Sequence, residues 1–165
     1  MQSPIHTSKV SHVLLNVSDL ERSVKFYTEV LGFKESDRNA RGMVFLRNGT
    51  DHHTFGLCPG PAQGTLAPSD QYLTFNHMAF EVDSVDELFK ARQFLREQEV
   101  DIVFEGRRGP GCNVSVEMKD PDGYLIELTC QMEQIGWNQT ARPHTMHRPC
   151  TSLEEAVANP VPDPE

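Results

Sequence analysis

Apolar and polar residues alternate along the start of the chain. Val10, Val13, Leu15 and Val17 mark a half-buried strand near residues 9–17. Ser18-Asp-Leu-Glu21 then fits a capping box, and Leu20, Val24, Tyr27 and Leu31 recur at helical spacing. A helix is therefore predicted to about Leu31, with Gly32 as its stop. Short strands are predicted near 33–38, 42–48 and 52–58, with a turn at Asn48-Gly49. The same order then returns. A strand is predicted near 72–82, followed by a capping box at Ser84-Val-Asp-Glu87. A helix follows with Leu88, Ala91, Phe94 and Leu95 on one face. Strands are predicted near 101–106, 113–119 and 123–130, with Pro121-Asp-Gly123 as a hairpin turn.

The order describes two tandem βαβββ units, about residues 9–58 and 72–130, in one α+β domain over 8–132. Their first strands align at an offset of 65 residues, His12 on His77, and their last strands at 71, Gly56 on Glu127. Units of this kind curl into a curved mixed sheet, an open barrel around a pocket. One polar side chain per strand then points inward while its neighbours pack under helices. Pro59 to Asp70 reads as a linker. Residues 133–165 form a Pro-rich tail, with one short helical candidate at Ser152–Ala158. Its course is open: it wraps the barrel, covers the mouth near Ile135-Gly-Trp137, or stays disordered. His144 and His147 are expected at its solvent-exposed surface.

Charge narrows the classes of partner. The net charge of −9 argues against nucleic acid and anionic membranes. No apolar run reaches the ~20 residues of a membrane span, and no secretory signal pattern opens the sequence, so a cytoplasmic protein is expected. Cys58, Cys112, Cys130 and Cys150 are dispersed without a CxxC pair and are read as reduced thiols.

The repeat gives candidate chemistry. His12 and His77 sit at equivalent positions of the two opening strands, and Glu127 lies in the last strand. Two imidazoles and one carboxylate form a facial triad suited to Fe(II), with positions left open for substrate and oxygen.

Three segments carry a family resemblance. They are Leu20-Glu-Arg-Ser-Val-Lys-Phe-Tyr-Thr-Glu-Val-Leu-Gly-Phe33, Asn76-His-Met-Ala-Phe-Glu-Val82 and Asp120-Pro-Asp-Gly-Tyr-Leu-Ile-Glu127. In these the chain resembles the vicinal oxygen chelate superfamily of glyoxalases, bleomycin-resistance proteins and extradiol dioxygenases. The resemblance places metal ligands at His12, His77 and Glu127. It places the fourth ligand of glyoxalase-like members at Gly56, which cannot ligate. Asn48-Gly-Thr-Asp-His-His-Thr-Phe-Gly-Leu57 resembles an extradiol segment whose histidine acts as acid and base. That role falls to His53, with His52 as the alternative, and alternation is expected to put His53 on the face of Phe55 and Leu57.

Arg108 and Glu117 stand where extradiol enzymes commonly carry His and Tyr. With Tyr124 they are the candidate substrate-binding residues. Arg108 offers a fork for a substrate carboxylate, or pairs with Glu117. The resemblance implies an Fe(II) or Mn(II) extradiol-type dioxygenase that acts on a catecholic aromatic with O2, as a homodimer. The alternatives are a metal-dependent lyase, isomerase or thiol transferase, or a non-catalytic small-molecule binding protein.

Overall fold

The computed structural model describes residues 11–60, 76–108, 111–132 and 143–162. The chain forms two compact units, Met1–Ser69 and Asp70–Glu165. The 72–75 part of the predicted fifth strand, most of the linker and the Ile135-Gly-Trp137 segment lie outside the described residues. No described helix is long and apolar enough to cross a membrane.

The first unit runs β1 (Val13–Val17), α1 (Leu20–Lys25), a π-helical turn (Phe26–Val30), β2 (Lys34–Arg38), β3 (Val44–Arg47) and β4 (Phe55–Pro59). Its sheet order is β1-β4-β3-β2, with β1 and β4 parallel and the rest antiparallel. The helix begins one residue later than the capping-box pattern suggested. Asp19, not Ser18, accepts from the Arg22 backbone N–H (3.0 Å), while the Ser18 hydroxyl accepts from the Arg22 guanidinium. Gly32 ends the helical segment at φ +73, and Phe33 N–H reaches back to the Tyr27 carbonyl at 2.9 Å. Tyr27 is fully buried, with Phe55 at 4.7 Å and Phe33 edge-on at 6.1 Å. Val44, Leu46, Phe55 and Leu57 are buried together, as their cross-strand register requires.

The second unit repeats the pattern with β5 (His77–Glu81), α2 (Val85–Glu97), β6 (Ile102–Arg107), β7 (Val114–Lys119) and β8 (Leu125–Cys130). Its sheet order is β5-β8-β7-β6, again with first and last strands parallel. Ser84 caps α2 through the Glu87 N–H, as expected. Leu88 and Leu95 are buried, but Phe94 is 40% exposed and leaves the predicted apolar face. The turn before β8 forms as predicted. Gly123 has φ +88, and the Asp120 carboxylate accepts from the backbone of Asp122 and Tyr124.

The described part of the tail packs on this unit. Cys150 pairs antiparallel with Arg107 through two backbone bonds of 3.1 and 3.0 Å. The tail backbone crosses Gly106 so closely that a Cβ there would overlap the Cys150 carbonyl oxygen. The helix α3 (Leu153–Ala158) is capped by Ser152 and buries Leu153 and Ala156. The buried Arg107 guanidinium closes its other end, donating to the carbonyls of Ala156 (2.6 Å) and Asn159 (2.9 Å). Arg92 of α2 bonds both Glu105 and Glu154, tying α2, β6 and α3 together. His147 is buried rather than solvent-exposed, because this docking encloses it. All four cysteines are free.

Leu153 thus anchors the tail. Leu153→Ala is expected to cost about 2–5 kcal/mol of stability, read by urea denaturation. An unchanged midpoint would show that the tail contributes nothing to the second unit.

Candidate metal centre

The two units share one strand register. Leu14 pairs with Gly56 in the first unit, and Ala79 pairs with Glu127 in the second. These are the offsets of 65 and 71 residues read from the sequence. The repeat alignment therefore holds at the level of individual backbone partners.

In the second unit this register brings His77 to Glu127, Nε2 to Oε2 at 3.4 Å. Both side chains are oriented from behind. The Asn76 side-chain oxygen lies 2.6 Å from His77 Nδ1, which orients the ring with Nε2 toward Glu127. Asn113 donates to Glu127 Oε1 at 2.9 Å and to the Thr129 hydroxyl oxygen at 2.6 Å, which leaves Oε2 toward His77. Two donor atoms bound to one cation at ~2.0–2.2 Å each lie roughly 3.0–3.5 Å apart. The His77–Glu127 spacing fits that requirement and is long for a charge-assisted hydrogen bond.

Glu117 is the direct cross-strand neighbour of Glu127, and Phe104 that of Glu117. Burial pushes the Glu117 carboxyl above the usual carboxylate range; Arg108 opposes the shift, and the Glu127 charge adds to it. Arg108 Nη1 lies 3.2 Å from Glu117 Oε1, and its guanidinium carbon sits 3.8 Å from the Phe104 ring centre. The two residues thus pair with each other. Tyr124 lies in the turn before β8, half-buried, at a position that alternates with Leu125 and Glu127. The strand does not carry it onto the face of Glu127. Burial, then Asp120 and Asp122, raise its phenol pKa.

In the first unit His12 stands just before β1, with Nδ1 3.2 Å from the Ser11 hydroxyl. Its ring is 4.8 Å from that of His53, which also meets Phe45 at 4.9 Å. His52 Nδ1 lies 3.0 Å from His53 Nδ1, and its Nε2 lies 3.8 Å from Asp37. Burial and the neighbouring His12 and His52 hold the His53 pKa below its ordinary value. His53 does not share the face of Phe55 and Leu57. Residues 51–54 bend before β4 begins, so strand alternation does not extend to them, and His53 joins His12 and Phe45 instead. A Cβ at Gly56 would overlap the Leu14 side chain, so Leu14 occupies the space that a side chain at position 56 would enter.

Among the described residues of either unit, no three His, Cys, Asp or Glu side chains gather into one group. His77 and Glu127 form a pair in the second unit, and His12 belongs to the first. Sequence reasoning missed Asn76, Asn113 and Phe104. Asn76 directly precedes His77, and Asn113 shares the side-chain parity of Glu117 in the neighbouring strand, which is the signal that points to both.

Asn113→Ala is expected to weaken divalent-metal affinity by about 10–100-fold, read by competition with a chromogenic chelator. Unchanged affinity would show that Asn113 does not orient Glu127. In the metal-free protein, the raised Glu117 pKa means that ionisation above the ordinary carboxylate range works against folding. Glu117→Gln is therefore expected to raise the urea midpoint at pH 7. The gain should vanish below the unfolded carboxylate pKa of about 4.3. A gain of equal size at both pH values would contradict this assignment.

Comparison with known proteins places this geometry in a family. The family model described as Glyoxalase/Bleomycin resistance protein/Dioxygenase superfamily matches residues 9–128. Metapyrocatechase 2 of Cupriavidus necator is 28% identical over 130 residues, covering 77% of this chain but only 38% of that protein. Lactoylglutathione lyase of Escherichia coli O157:H7 is 30% identical over 131 residues, covering 73% of this chain and 90% of that enzyme. Among solved structures, the trypanothione-dependent glyoxalase I of Leishmania major is 28% identical with a TM-score of 0.59, covering 76% of this chain and 88% of that one. The superfamily includes enzymes, binds divalent metals and small-molecule substrates, and is commonly dimeric. The chain belongs to the glyoxalase/bleomycin resistance protein/dioxygenase superfamily.

Proposed function

We propose that the protein is an extradiol-type dioxygenase, in which His12, His77 and Glu127 hold one Fe(II), or Mn(II) in its place. The substrate is a catecholic aromatic opened with O2. The observation that carries this reading is the matched strand register. Gly56 occupies the position that Glu127 fills in the other unit, and Leu14 covers it. Three protein ligands then leave more open positions than four, which a substrate that chelates through two oxygens requires.

The bound metal supplies Lewis acidity that lowers the pKa of a coordinated hydroxyl. His53, whose pKa is held below its ordinary value by burial and by His12 and His52, would take up the released proton. His52 Nδ1 lies 3.0 Å from His53 Nδ1 and is the next group that proton would reach. Both atoms of O2 enter the ring-opened product, so no outside reductant is needed.

A second reading, a lactoylglutathione lyase-type activity, is supported by the E. coli relative's longer coverage of its own length. The missing donor at Gly56 weighs against it.

Protein loaded anaerobically with Fe(II) and then mixed with oxygen and a catechol panel is expected to consume one O2 per substrate. His12→Ala or Glu127→Ala should abolish uptake, and His53→Ala should lower kcat by about 10²–10⁴-fold. No uptake across the panel would end the dioxygenase reading. Anaerobic formation or breakdown of lactoylglutathione with Zn(II) or Ni(II) would replace it with the second.

A further inference from the structure

We infer that Arg108 is an anion-recognition residue, and that the substrate is a catechol bearing an acidic side arm, an aryl or arylalkyl carboxylate. The inference rests on the dioxygenase reading and names its substrate class. It starts from one face of the second sheet. Across adjacent strands that face carries Glu127, then Glu117, then Phe104. Arg108 lies four residues beyond Phe104 and folds back over its ring, at 3.8 Å. Strands are spaced ~4.8 Å apart, and the guanidinium touches both Glu117 one strand away and Phe104 two strands away, so it stands roughly 5–10 Å from Glu127 along the row. That is the reach of a ring held by two oxygens at one end and carrying a short acidic arm at the other.

Neutralising Glu117 does not account for Arg108 by itself. The contact is one-point, Nη1 to Oε1 at 3.2 Å, rather than a bidentate fork. The Arg108 side chain is 57% exposed while that of Glu117 is 8% exposed. Among the described residues Glu117 is its only ionic partner. Phe104 stacking and the Glu117 contact fix the plane of the guanidinium, so little side-chain freedom remains to be lost when an anion docks on its outer edge. A catechol that ends in an alkyl group would leave the outer edge of this cation, away from Glu117, facing solvent. One that ends in a carboxylate meets a prearranged fork.

The test compares 3,4-dihydroxyphenylacetate with 4-ethylcatechol, its neutral near-isostere. Binding to the anaerobic Fe(II)-loaded full chain is read by calorimetry. Wild-type protein is expected to bind the carboxylate about 10–100-fold more tightly, the range of a hydrogen bond to a charged group. In Arg108→Gln that ratio should fall to near one, and Arg108→Lys should recover part of it. Arg108→Gln leaves Glu117 buried without its partner, which can destabilise the sheet. The double variant Arg108→Gln/Glu117→Gln removes both charges and should show the same collapse of the ratio.

Equal binding of the two compounds by wild-type protein, or a preference that survives in the double variant, overturns the Arg108 inference. If O2 uptake with 4-ethylcatechol persists in that case, the dioxygenase reading stands without it. No binding of either compound overturns both.

Discussion

The first and last strands of each unit lie side by side and parallel, and the His77–Glu127 pair depends on that constraint. A parallel pair cannot be joined by a tight turn, so each unit spends a helix and two strands before returning to its own beginning. The return brings a residue near the start of one strand beside a residue near the middle of another, 50 positions later in the second unit. His77 and Glu127 meet in this way, with Asn76 and Asn113 fixing which atoms face each other. Helices α1 and α2 cover the opposite faces of their sheets, which leaves the polar row free for a function other than packing.

That polar row is costly for folding alone. Glu117 and Glu127 are direct cross-strand neighbours and both are buried, an arrangement in which like charges repel. Arg108 answers one carboxylate and Asn113 answers the other. The 3.4 Å approach of His77 to Glu127 is the spacing that the proposed cation requires. A stability-driven sheet would place apolar residues here, as it does on the helix-facing side at Val114, Val116, Met118 and Ile126.

Much of this was legible in the sequence because a repeat carries its own check. The offsets that align His12 with His77 and Gly56 with Glu127 are backbone partners in both sheets, so register needed no alignment to other proteins. Where the reading failed, local chemistry had competitors. Asp19 lay beside Ser18 and took the helix cap, since either side chain serves. Strand alternation does not reach back to His53, because the chain bends at 51–54 and releases it to the other face. Phe94 fitted the apolar period but faces outward. The tail gave no periodic signal beyond one turn of helix. Its docking depends on Gly106 and Arg107, which carry no hydrophobic pattern.

The central claim is that one metal is held by two imidazoles and a carboxylate, with no fourth protein ligand. X-ray absorption at the iron edge of the Fe(II)-loaded protein tests it most directly. The account predicts a first shell of nitrogen and oxygen atoms only, with outer-shell scattering from two imidazole rings. A sulfur atom in the first shell, or scattering from fewer than two imidazoles, would contradict it.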